Sequence, residues 1–243
     1  AGFKRIRFVF VMGLEGTGHH LLSKVVRQSP TTQVLRNIRV HPADTEELSL
    51  LFFNEKQRRI GLFSSMCLKG MRSLEGKEVN MNENVDLAQN RQSIVAKLQE
   101  IVRKGQSAPD DTMLNIPINT WGVRFVGEMS YPNYGGNFCQ NLMYPNIDLF
   151  YDACGAAGVE CNHVYLYRDP REVLYSTTVK RKFQPSVLDA IHGYTSLLDI
   201  MYAQLSAYSD RTLGCMNFFA DEGSVANDFK VVQGLFGWPE NVS

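Results

Sequence analysis

Ile6-Arg7-Phe8-Val9-Phe10-Val11-Met12-Gly13-Leu14-Glu15-Gly16-Thr17-Gly18-His19-His20-Leu21-Leu22 passes from an apolar run through a glycine-rich turn into a helical pattern. Ile6 to Met12 is nearly continuous apolar sequence rich in β-formers, the pattern of a strand covered on both faces in a parallel sheet. Leu21, Leu22, Val25 and Val26 recur at helical spacing, and Pro30 beyond Ser29 marks the expected end of that helix. The segment therefore reads as strand, loop, helix. Gly13, Gly16 and Gly18 let the loop turn backbone N–H groups inward while a helix N-terminus points at the same spot. Such a loop holds an anion without a large net charge.

Downstream, Asp44 and Glu47 have capping-box spacing ahead of Leu48, Leu50 and Leu51, and Ile94, Val95, Leu98, Ile101 and Val102 form a helical stripe. Residues 41–104 accordingly read as mainly helical, interrupted by a polar loop over Glu75 to Asn90 that is expected to be mobile. Further strands are expected at Val123–Met129, His163–Tyr167 and Leu213–Phe219. A long amphipathic helix is expected from Ile191 to Tyr208 and a shorter closing one over Val225–Phe236. Strands alternating with helices imply a mainly parallel sheet flanked by helices. At 243 residues, one α/β domain over 1–243 is the expectation, carrying a helical, partly mobile insertion over about residues 41–115.

A second motif stands at Val164-Tyr165-Leu166-Tyr167-Arg168-Asp169-Pro170-Arg171-Glu172-Val173-Leu174-Tyr175-Ser176. Asp169 as N-cap, Pro170 at the first helical position and Glu172 two further on make a capping box, so a strand ends at Arg168 and a helix begins at once. That puts Arg168 at the carboxyl edge of the sheet. A guanidinium there suits a phosphate monoester, and the Ser176 hydroxyl lies two turns along.

The first loop has the Gly-x-x-x-x-Gly spacing of a Walker A loop, but His19 and His20 replace its Lys and Ser/Thr, which weakens magnesium-dependent ATP chemistry. It resembles more closely the 5′-phosphosulfate loop of sulfotransferases, with Gly13, Thr17 and Gly18 matching, and Gly16, His19 and His20 departing from the family's cation and hydroxyls. The second motif resembles the family's 3′-phosphate motif at Arg168, Pro170 and Ser176, with the Ser eight residues after the Arg. A fainter echo, Glu128-Met129-Ser130-Tyr131-Pro132-Asn133-Tyr134, resembles the Glu-Lys-(Thr/Ser)-Pro-x-Tyr segment of the glycan sulfotransferases, with Met129 in place of the Lys and the Pro shifted by one.

The resemblance implies a three-layer architecture like that of P-loop nucleotide kinases. It implies the donor 3′-phosphoadenosine-5′-phosphosulfate, held by Gly13, Leu14, Glu15, Gly16, Thr17, Gly18, His19, His20, Arg168 and Ser176, and a small-molecule or glycan acceptor. A base must take the acceptor proton, and the candidates are Glu128, at a strand's expected carboxyl end and the first choice, Glu15, and the histidines His19, His20 and His41. His19 is also assigned to stabilising the sulfuryl group. The alternatives are a kinase-like phosphotransferase and a catalytically inactive nucleotide-binding module.

Composition bounds the partners. Lys plus Arg and Asp plus Glu each number 25, so no whole-molecule field favours nucleic acid. No apolar stretch approaches the roughly 20 residues of a membrane span. The five cysteines have no zinc-ligand spacing, so no metal site is expected. Cys154 and Cys161 are able to pair in an oxidising compartment, although the odd total leaves a thiol over. The opening, almost directly on a buried-type strand, suits a catalytic domain trimmed from an anchor, which sets the Golgi lumen ahead of the cytoplasm.

Overall fold

The computed structural model describes residues 6–14, 16–40, 63–66, 87–107, 113–118, 133–135, 141–145, 147–180, 187–217, 230 and 233–236. Its centre is a four-stranded sheet of β1 (Ile6–Gly13), β3 (Leu114–Ile118), β6 (Glu160–Leu166) and β7 (Thr212–Met216), ordered β3-β1-β6-β7 and parallel throughout. Phe8, Val9, Phe10, Val11 and Met12 are all at most 1% exposed, so both faces of β1 are covered, as its unbroken apolar run requires. The helices are α1 (His19–Gln28), α2 (Pro30–Asn37), α3 (Leu87–Gly105), α4 (Ile147–Ala157), α5 (Pro170–Tyr175) and α6 (Val187–Ala207). Phe10 meets Phe150 of α4 at 5.5 Å between ring centroids, which places α4 on the face of the sheet that carries Phe10. The mixed α/β class and the parallel sheet flanked by helices agree with the sequence reading.

Several elements differ from expectation. Pro30 does not simply stop α1: Ser29 caps a new helix, its Oγ accepting from Thr32 N at 3.2 Å, with Pro30 in the first turn of α2. The segment read as mainly helical contains β2 (Phe63–Met66), which pairs antiparallel with β5 (Asn141–Pro145), itself antiparallel to β4 (Asn133–Gly135). The last residues of the stretch read as a loop, from Leu87 on, already belong to α3. β3 falls at the border of the expected insertion and carries Pro117 in its middle. Among the described strands β3 lies at the end of the order, where a missing N–H costs no second ladder and proline is tolerated. The expected strand over 123–129, the helix at 44–51 and most of the closing helix lie outside the described residues. Helix α6 spans the expected amphipathic stretch.

Cys154 at the end of α4 and Cys161 at the start of β6 form a disulfide with Cα atoms 6.2 Å apart, leaving Cys215 as an exposed thiol on β7. Among the described residues no helix is long and apolar enough to cross a membrane.

Candidate functional site

β1 ends at Gly13, whose backbone lies against β6 in register with Leu166. A Cβ built on Gly13 would stand 2.7 Å from Leu166 O and 2.7 Å from Thr17 Oγ1, so glycine is required there for close approach. The turn beyond is closed by its own groups: Thr17 N and Thr17 Oγ1 both donate to Leu14 O, at 3.1 and 2.7 Å. Gly16 and Gly18 have φ of +91° and +113°, and Gly18 is the N-cap of α1, with its carbonyl accepting from Leu22 N at 3.0 Å. His19 opens the helix with its ring turned inward, Nε2 donating to Gly13 O at 2.9 Å, and the residue is 2% exposed.

Leu14, Thr17 and His19 are thus buried, while Gly16 and Gly18 are partly exposed. The outward face of the described loop is backbone, as a phosphate cradle needs. His19 is directed at the loop's own carbonyl, so its position is that of a staple between the end of β1 and α1. Glu15 lies outside the described residues, as do Glu128 and His41, and His20 is described only through its backbone in α1.

The second motif builds the opposite wall. β6 delivers the chain to Arg168, and Asp169 caps α5 by accepting from Arg171 N at 2.8 Å. Arg171 also bonds the Asp169 carboxylate through its side chain, and that hydrogen bond, with the one from Arg171 N, holds the carboxyl well down, at about 2. The cap therefore stays ionised at any ordinary pH. Glu172 does not complete the expected capping box with its carboxylate, which accepts from Arg168 Nε at 2.6 Å instead. Arg168 stands just before the Asp169 cap and Glu172 four residues on in the first turn of α5, and the carboxylate pairs with that guanidinium rather than with the cap backbone. After α5 the chain widens into a π-helical turn at Ser176–Lys180, a geometry that recurs at functional sites.

The two motifs, 152 residues apart, meet directly: Arg168 NH1 donates to Gly16 O at 3.1 Å. A Cβ on Gly16 would lie 3.7 Å from Ser176 Oγ and 3.8 Å from Val173 Cα. Arg168 and Ser176 also line an open cavity of about 370 Å³ with Arg171, Glu172, Tyr175 and Lys180. Lys180 Nζ sits 5.8 Å from the centroid of the Tyr175 ring. Arg171, Glu172 and Tyr175 were not singled out as ligand-facing in the sequence, though Arg171 and Glu172 follow Arg168 by three and four residues and Tyr175 follows Arg171 by four.

Compared with protein-family models, with curated proteins and with solved structures, the chain matches none of them.

Proposed function

We propose that this chain is a sulfotransferase with a P-loop-style architecture. In this reading it moves the sulfuryl group of 3′-phosphoadenosine-5′-phosphosulfate to a hydroxyl or amine of a small-molecule or glycan acceptor. The observation that carries the reading is the contact between the two anion motifs, Arg168 on the carbonyl of Gly16 and Ser176 beside the same glycine. A donor with a phosphosulfate at one end of its ribose and a phosphate on the other side needs two anion-binding elements within one nucleotide's reach.

In this reading the backbone at Gly16–Gly18 and the start of α1 take the phosphosulfate. Arg168 and Ser176 take the 3′-phosphate. Gly13, Thr17 and His19 keep the loop in shape from behind. Transfer is in line and needs no metal, since the sulfuryl group carries less charge than a phosphoryl group, and positioning does most of the work. Glu128 is the proposed base, with His20 as its substitute.

One observation favours a second reading, a nucleotide-binding module without turnover. Gly16, which stands where the family has a cation, has positive φ, and the His19 ring is buried against Gly13 O. Calorimetric titration decides between the readings. Adenosine 3′,5′-bisphosphate is expected to bind more tightly than 5′-AMP and than ATP with magnesium. Arg168→Ala is expected to erase that preference at a cost of about 2–4 kcal/mol. Equal affinity for the bisphosphate and 5′-AMP removes the sulfotransferase reading, and preference for magnesium-ATP moves it to a kinase. Tight bisphosphate binding with no sulfuryl turnover selects the inactive module.

A further inference from the structure

Both edges of the Arg168 guanidinium are in use. Gly16 O takes NH1 at 3.1 Å, and the Glu172 carboxylate takes Nε at 2.6 Å. An anion that grips the guanidinium with two oxygens must take an edge from one of them. The Gly16 carbonyl belongs to a turn closed by Thr17 and Leu14 and followed by the Gly18 cap, so it does not leave without unmaking the loop. The Glu172 side chain is 50% exposed and hinged on flexible torsions, so it is the group that yields. Nor does α5 need it as a cap, because Asp169 already performs that task and already holds Arg171.

We propose that Glu172 is a built-in competitor for the phosphate that Arg168 receives, an internal carboxylate that sets the affinity and the charge preference of the site. The inference rests on the nucleotide-binding reading above for the identity of the ligand. Among the described residues that line the cavity, Glu172 is the one carboxylate, against the three cations Arg168, Arg171 and Lys180. A singly charged ligand group that evicts it exchanges one unit of negative charge for another and gains little. A phosphate monoester, close to two negative charges at neutral pH, gains the second charge against Arg171 and Lys180 as well. Glu172 therefore discriminates for a terminal phosphate over a diester or a sulfate ester at this position, and lowers affinity for all of them.

Glu172→Gln isolates the effect, because the amide oxygen still accepts from Arg168 Nε while the charge is gone. The experiment is calorimetry on the wild type, E172Q and R168A with adenosine 3′,5′-bisphosphate, 5′-AMP and inorganic phosphate, with a thermal melt of each protein. E172Q is expected to bind the bisphosphate and inorganic phosphate about three- to tenfold more tightly, as removal of a partly exposed competing charge allows. Its affinity for 5′-AMP is expected to stay within about twofold, since exposed charges beyond direct contact are screened. Unchanged or weaker binding of both phosphate probes overturns the proposal and leaves Glu172 as a positioning residue for Arg168. If the wild type fails to prefer the bisphosphate over 5′-AMP, the nucleotide reading falls. Tighter inorganic phosphate in E172Q would then still support the competition at Arg168, and its absence would end both.

Discussion

Gly13 and Gly16 meet different constraints, although in the sequence they look like two members of one motif. Gly16 needs positive φ, which any L side chain adopts only at a cost of about 1 kcal/mol or more. Gly13 has no such φ; its constraint is space, with Leu166 O and Thr17 Oγ1 both 2.7 Å from where a Cβ would stand. Leu166 is held in the ladder between β1 and β6, so its carbonyl has no room to retreat. Gly13→Ala is expected to lose about 1–3 kcal/mol by overpacking, measured as a lower urea midpoint at unchanged slope. At this scale the glycine turn between β1 and α1 and the place of Arg168 ahead of a capped helix were legible, since glycine spacing and an Arg before a capped helix carry local meaning. The partner of Glu172 was misread, because the same residue fits both a capping box and an i, i+4 ion pair, and only the position of Arg168 decides between them. The inward turn of His19 was not legible at all. It follows from the distance between the end of β1 and the start of α1, which a list of residues does not contain.

Among the elements, α2 ends in a way that offers a clean test. Val40 N donates to Leu35 O at 2.9 Å and Arg39 N to Arg36 O at 3.1 Å, the paired bonds of a Schellman motif, with Leu35 and Val40 both buried. The left-handed position of that motif is filled by Arg39, at φ 60°, where glycine is the usual occupant. Arg39→Gly is expected to stabilise the protein by about 0.5–1 kcal/mol, seen as a higher urea midpoint; an unchanged or lower midpoint would mean that the Arg39 side chain contributes more than its backbone costs. β1 and β6 were readable as apolar runs, since strands covered on both faces carry little polar sequence, and α3 and α6 from apolar spacing, because burial of one helix face imposes its period. β2, β4 and β5 run for only four, three and five residues, too short for any period to register. β3 was hidden by Pro117, which in the middle of a run argues against a strand unless the strand is known to be an edge.

For the molecule as a whole, the parallel sheet follows from alternating elements, and its stability follows from what the sheet buries. His163 on β6 is 1% exposed and lies between Tyr151 and Thr212, with the Tyr151 hydroxyl 2.5 Å from Nδ1 and Thr212 Oγ1 2.8 Å from Nε2. Burial pushes its imidazole down to about 4, with Asp210 opposing only in part. The neutral ring is thus favoured in the folded chain, and its contribution is complete above the unfolded value near 6.5 and is lost as pH falls toward 4. Stability is expected to drop by roughly 2 kcal/mol between pH 7 and pH 5 from this residue alone. Urea unfolding at the two pH values should show that slope in the wild type and a shallower one in His163→Gln; equal slopes would remove His163 as the cause. The contact of Arg168 with Gly16 has a consequence in time. It joins segments 152 residues apart, so a chain growing at about 5–20 residues per second exposes its glycine loop roughly 8–30 s before its partner emerges. Until then the nascent loop has neither Arg168 nor Ser176 beside it, and on the nucleotide-binding reading proposed above a ribosome-bound chain stopped short of β6 should carry the loop without retaining nucleotide.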